Sequence, residues 1–114
     1  FIENCDVISL HVHLNAETKY MINKSSLSKA KHNIVIINTS RGAVVKEDDI
    51  IEMIEANKIG AYGTDVLENE NDDIKKSLLI RKMKTNNKIL ITPHVGGMTI
   101  EGQIKAYSWA INKL

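Results

Sequence analysis

The chain has 114 residues, with 15 Lys plus Arg against 14 Asp plus Glu, one Cys, one Pro, and 43% hydrophobic but only 4% aromatic residues. That length and balance admit one domain with a working core and exclude disorder, a disulfide scaffold and collagen-like repeats. A net charge of +1 gives no electrostatic pull toward nucleic acid or an anionic membrane, and no apolar run approaches the roughly 20 residues of a membrane span.

In chain order, Val7 to Val12 is rich in β-branched and apolar side chains and reads as a strand, with Asn15 as a turn former behind it. Residues 25–31, Ser-Ser-Leu-Ser-Lys-Ala-Lys, predict a short helix stopped by Asn33. Ile34, Val35, Ile36 and Ile37 then predict a strand buried on both faces, as in parallel sheets flanked by helices. Thr39 to Gly42 form a turn. Glu47, Asp48 and Asp49 suit the first turn of a helix, whose core face runs from Ile50 to Ala56 and which Asn57 closes. Ala61 to Val66 predicts a further strand, and residues 68–77 are polar and acidic, a surface loop by composition. Leu78 to Met83 reads equally as a short helix or a loop. Ile89 to Ile91 forms a last strand, ended by Thr92 and Pro93. Ile100, Ile104, Tyr107, Ile111 and Leu114 recur on one stripe, which predicts an amphipathic helix over 99–114 with that stripe in the core. Trp109 lies off the stripe, exposed or at an interface. The alternation is that of an α/β protein with a parallel sheet.

Ligands of such sheets gather at the carboxyl ends of the strands, and the polar residues of this chain follow that rule. His11 to Asn15, Thr39 to Gly42, Asp65 to Glu70 and His94 to Gly97 each follow a predicted strand. A His, a carboxylate and an Arg are the parts needed to move a hydride to or from a carbon bearing oxygen. His94 can exchange the hydroxyl proton, Glu70 can hold its imidazole in one tautomer, and Arg41 can pair with a substrate carboxylate. On residue chemistry alone the three are candidates beside plainer readings: a solvated turn arginine, an acidic loop, a hydrogen-bonded structural histidine. His11 and His13 face one side of a strand, but two ligands fall short of a metal site, so no metal is expected.

Four segments carry a resemblance: Asp-Val-Ile-Ser-Leu-His-Val at 6–12, Ile-Asn-Thr-Ser-Arg-Gly at 37–42, Gly-Thr-Asp-Val-Leu-Glu-Asn-Glu at 63–70 and Thr-Pro-His-Val-Gly-Gly at 92–97. In that order they resemble the NAD-dependent D-isomer-specific 2-hydroxyacid dehydrogenases, over the second half of that family's nucleotide-binding domain. The resemblance implies a Rossmann-like fold, the second half of a doubly wound, mostly parallel sheet with flanking helices, spanning residues 1–114. It implies Arg41 as substrate-binding arginine, His94 as acid/base, and Glu70 rather than Glu68 as the supporting glutamate. Asp65 matches an aspartate near the nicotinamide carboxamide. Val12, His13, Thr39, Ser40, Arg41, His94, Gly96 and Gly97 match other cofactor-facing positions. The implied reaction is reversible hydride transfer between NAD and a D-2-hydroxy acid or its 2-oxo acid, with NADP left open. A non-catalytic NAD-sensing or protein-interaction module on the same fold is the alternative.

Two departures stand out. His13 occupies the place where the family most often has Pro. The six glycines, at 42, 60, 63, 96, 97 and 102, nowhere have the Gly-x-Gly-x-x-Gly spacing that cradles a pyrophosphate. The expectation is therefore a piece of a chain roughly three times longer, lacking the phosphate-binding half and most of the substrate domain. Half a sheet leaves an open edge and apolar face, so self-association is expected. With Cys5 alone and no signal-peptide pattern in residues 1–15, the cytoplasm is the expected compartment.

Overall fold

The computed structural model describes residues 1–70, Ile74 and residues 77–112. Among them four strands, β1 (Val7–Leu10), β2 (Ile34–Asn38), β3 (Ile59–Thr64) and β4 (Ile89–Ile91), form one parallel sheet in the order 1-2-3-4. Among the described residues three α-helices follow the pattern expected of an α/β chain: α1 (Glu47–Glu55), α2 (Leu78–Met83) and α3 (Ile100–Ile111). This is the Rossmann-like class expected from the sequence. Among the described residues no helix is long and apolar enough to cross a membrane.

The register aligns Ile8, Ile36, Tyr62 and Ile89 in one row, and all four are buried. α1 packs against β3, and α2 against β4 and α1, with Ile50, Ile54 and Leu79 fully enclosed. The opposite face carries Val7, Val35, Ala61, Ile37, Gly63 and Leu90, and it is not covered by the described residues: Val7 is 54% and Leu90 66% exposed. β2 therefore alternates buried and half-buried residues, where the sequence predicted burial on both faces. A β-branched run records compatibility with two covers but not their presence.

α1 ends as its sequence requires. Asn57 adopts a left-handed φ of 55°, its N–H reaches Ile54 O at 3.0 Å, and the Lys58 N–H reaches Met53 O at 2.9 Å. These two bonds satisfy carbonyls that the last turn would leave open. The ambiguous segment 78–83 resolves as helix α2 because the Ser77 side chain accepts the Ile80 N–H at 3.3 Å.

Two expectations are corrected. Residues 25–31 form successive turns rather than a helix. The Asn23 side chain accepts from the Ser25 and Ser26 N–H groups at 2.8 and 2.9 Å, and Ser28 and Ala30 bond back three residues, to Ser25 and Leu27. Asn and Ser side chains here offer the backbone a local alternative to the helical ladder. The second correction concerns α3. Thr99 caps it by accepting the Gly102 N–H at 3.0 Å, but no residue of the helix is buried, and Ile104, Tyr107 and Ile111 are 60–69% exposed. Its apolar stripe is outside the core, and Trp109 is exposed as well. Leu114, assigned to the same stripe, and Asp72 and Asp73 of the acidic segment lie outside the described residues.

Candidate active site

All four polar segments singled out in the sequence stand at the carboxyl edge of the sheet, because parallel strands put every strand exit on one side. At the exit of β1, the His11 ring lies 2.8 Å from Ser9 Oγ through Nε2. Val12 packs against the core, and His13 is exposed, its carbonyl accepting from Thr18 Oγ1 at 2.6 Å.

The exit of β2 is organised by Asn38, a fully buried residue that the motif reading passed over. Its amide donates to Arg41 O at 3.0 Å, and its Oδ1 accepts from both Ser40 N and Ser40 Oγ. The loop is thereby folded over the strand end, leaving Thr39 and Arg41 exposed. Arg41 donates to the Ser40 carbonyl at 2.6 Å and makes no hydrogen bond to Glu70 or His94.

At the exits of β3 and β4 the expected residues meet directly. His94 Nδ1 lies 3.0 Å from Glu70 Oε2, with both side chains partly exposed. His94 holds a left-handed φ of 53°, and its N–H reaches back across Pro93 to Thr92 O at 3.0 Å. With Nδ1 committed to the carboxylate, Nε2 is the nitrogen left to exchange a proton. Asp65 fastens this loop: its carboxylate accepts from Thr92 Oγ1, from Val95 N at 3.1 Å and from Gly96 N at 2.8 Å. Burial pushes the Asp65 carboxyl up, but the hydrogen bonds from Thr92, Gly96 and Val95, with the His94 charge, outweigh it and hold the group below its usual range. A Cβ on Gly96 would come within 3.0 Å of Asp65 Oδ2, whereas Gly97 faces open space.

An open cavity of about 440 Å³ adjoins the pair, with Asp65, Glu70, Thr92 and His94 on its polar side and Ile80 and Met83 among its apolar walls. A second, of about 340 Å³, spreads over the uncovered sheet face from Val35 and Ile37 to Leu90. Asp65 and Thr92 line both, so they stand between the compartment of the acid/base pair and the open sheet face.

Glu47, one of the acids in the first turn of α1, also reaches this edge. It is 9% exposed, and its Oε1 accepts the Glu68 N–H at 2.8 Å. Burial raises its carboxyl to about 7, the Glu68 N–H opposes that, and the Glu68 and Asp48 charges add to it. The folded chain then binds more protons than the unfolded one between about 4.5 and 7, so this group makes stability fall as pH rises through that window. Substitution Glu47→Gln is expected to gain on wild type by on the order of 2 kcal/mol between pH 5 and pH 8 in chemical denaturation. A difference that stays constant with pH would rule the titration out.

Three comparisons bear on this arrangement. Residues 1–96 match the family model of the D-isomer specific 2-hydroxyacid dehydrogenase, NAD binding domain. The chain is 41% identical over 106 residues to a dehydrogenase of Hormonema carpetanum, covering 93% of this chain and 25% of that protein. It is 38% identical over 100 residues to a hydroxypyruvate reductase of Thermotoga maritima, covering 86% of this chain and 31% of that protein. Among solved structures, a D-lactate dehydrogenase from Aquifex aeolicus complexed with NAD and lactic acid superposes with a TM-score of 0.82 at 30% identity, covering 97% of this chain and 36% of that one. The chain thus spans about a quarter to a third of the length of these relatives.

Proposed function

Given that the chain belongs to the D-isomer specific 2-hydroxyacid dehydrogenases, through their NAD-binding domain, we propose that it carries the acid/base half of a dehydrogenase acting on a D-2-hydroxy acid and its 2-oxo acid. The observation that carries this reading is the 3.0 Å contact between His94 Nδ1 and Glu70 Oε2 at the mouth of the 440 Å³ cavity. The share of each relative that is matched and the uncovered sheet face support residues 1–114 as the second half of the NAD-binding domain.

The residues present suit the nicotinamide end of a dinucleotide. The open space at Gly97, the exposed Thr39 and the apolar cavity over Ile37, Gly63 and Leu90 accept a flat ring, with Val12, His13, Ser40, Asp65 and Gly96 around the same edge. No glycine turn of pyrophosphate spacing is present. When bound, NAD exchanges the hydride with C2 of the acid.

In the reducing direction His94, protonated at both nitrogens, donates the Nε2 proton to the substrate oxygen as C2 gains the hydride. The Glu70 carboxylate holds Nδ1 and fixes the ring plane. Arg41 pairs its planar guanidinium with the substrate carboxylate, exchanging its hydrogen bond to Ser40 O for that of the substrate. In the reverse direction neutral His94 takes the hydroxyl proton.

In the natural protein carrying these residues, Arg41→Ala is expected to lower kcat/KM for 2-oxo acids by about 100-fold or more, with KM raised and Arg41→Lys a poor substitute. Steady-state kinetics with NADH and a series of 2-oxo acids tests it. An unchanged KM would remove Arg41 from substrate binding, and NADH binding without turnover of any 2-oxo acid would favour a sensing module instead.

A further inference from the structure

Glu47 and Asp65 are the buried carboxylates among the described residues, and Glu47 has no place in the chemistry above. It stands in the first turn of α1, where Asp48 and Asp49 already supply negative charge from less buried positions. The helix dipole therefore gives no reason to bury a third acid, which carries a desolvation cost.

We propose that Glu47 is a positioning residue for the Glu70–His94 pair, holding the Leu67–Glu70 turn through the Glu68 backbone N–H. The proposal rests on the catalytic reading of that pair. Three contacts locate the turn. Glu47 Oε1 accepts from Glu68 N at 2.8 Å. Gly42 packs beneath it, so closely that a Cβ there would lie 2.0 Å from the Leu67 carbonyl carbon and oxygen. The Tyr20 hydroxyl donates to the Glu68 carboxylate, while the Tyr20 backbone N–H is anchored on Ala43 O at 2.8 Å, in the Gly42–Val44 turn.

Within the turn, Glu70 Oε2 faces Leu67 N at 3.5 Å and His94 Nδ1 at 3.0 Å. A shift at residue 68 is thus carried two residues on to the oxygen that orients the imidazole. The raised carboxyl of Glu47 is consistent with this role, since a buried carboxylate held by one backbone N–H is retained despite its cost.

Glu47→Leu tests the idea in the natural protein, because it fills the buried volume and removes the acceptor. The expected result is a kcat about 10- to 100-fold lower, with KM for the 2-oxo acid and for NADH unchanged. Glu47→Gln keeps an acceptor oxygen and should recover most of kcat. Should Glu47→Leu fail to fold, Tyr20→Phe removes a second tie of the same turn and should lower kcat by a smaller factor, again with both KM values unchanged. Wild-type kcat in folded Glu47→Leu, or in Tyr20→Phe where Glu47→Leu does not fold, would overturn the proposal while leaving His94 and Glu70 in place, as would equal damage by Gln and Leu. Full activity in Glu70→Gln would overturn the catalytic reading itself and this inference with it.

Discussion

Replacing His94 by Ala in the natural protein is expected to lower kcat for 2-oxo acid reduction by roughly 10²- to 10⁴-fold, the usual worth of a positioned general acid. Three features of its setting make the loss large. The left-handed backbone at φ 53° and the Thr92 O contact fix where the side chain starts, Glu70 fixes its plane at 3.0 Å, and Asp65 ties the loop from both of its oxygens. The imidazole is thus preorganised before substrate arrives, and Ala removes the proton without replacing it. KM should change much less than kcat, because the proton moves only in the transition state. Single-turnover measurement with NADH separates the chemical step from product release. A His94→Ala enzyme with unchanged kcat in that assay would exclude His94 as the acid.

The second large effect is expected at Gly42. No glycine in the chain has a positive φ, so Gly42 is not required for its backbone conformation. It is required for space: a Cβ would sit 2.0 Å from Leu67 C and O and 2.3 Å from Glu68 N, all backbone atoms with no rotamer to escape into. Gly42→Ala must therefore move either the Arg41 turn or the Leu67–Glu70 turn, and each carries a residue of the proposed site. Overpacking of this kind costs about 1–3 kcal/mol where side chains can yield, and a backbone clash should reach at least the top of that range. The measurable outcome is a lower denaturation midpoint together with reduced kcat/KM under conditions where the variant is still folded. Gly97→Ala, which meets nothing within 4 Å, is the matched control and should keep wild-type stability. Gly42→Ala with unchanged stability and activity would show that the turns separate freely.

β2 and β4 lie where β-branched runs predicted them, and α1 closes at Asn57, because strand and cap signals are local. β1 starts at Val7 as expected but ends at Leu10 rather than Val12, so His11 and His13 lie beyond the strand rather than on one of its faces. β3 begins two residues earlier than Ala61, at Ile59, where glycine at 60 weakens the strand pattern. Residues 25–31 failed as a helix because Asn23 and the serines compete for backbone groups, a contest that helical periodicity does not register. Glu70 and His94 were legible through their motifs, and the structure brings them within hydrogen-bonding distance. Arg41 reached the same edge without touching them.

Asn38, Gly42 and Glu47 were hidden for a different reason. Each acts on a segment that is distant in sequence or on a carbonyl whose position depends on a loop fold: Gly42 on Leu67, Glu47 on Glu68, Asn38 on Arg41 and, through its own carbonyl, on Asp65. From residue order alone, Glu47 is one of three acids opening a helix, and its burial and its bond from the Glu68 N–H set it apart from Asp48 and Asp49.

The order of residues is enough to establish a parallel α/β chain, its family, and the strand exits where chemistry gathers, since periodicity, caps and motifs are properties of neighbours along the chain. It is not enough to say that one sheet face stays open among the described residues, that the α3 stripe lies outside the core, or that Asp65 spends its carboxylate on the His94 loop. Those outcomes depend on which surfaces meet, and burial is a property of pairs of elements. An apolar stripe is the same stripe whether or not a partner covers it, and a carboxylate titrates as its burial and its hydrogen bonds together dictate.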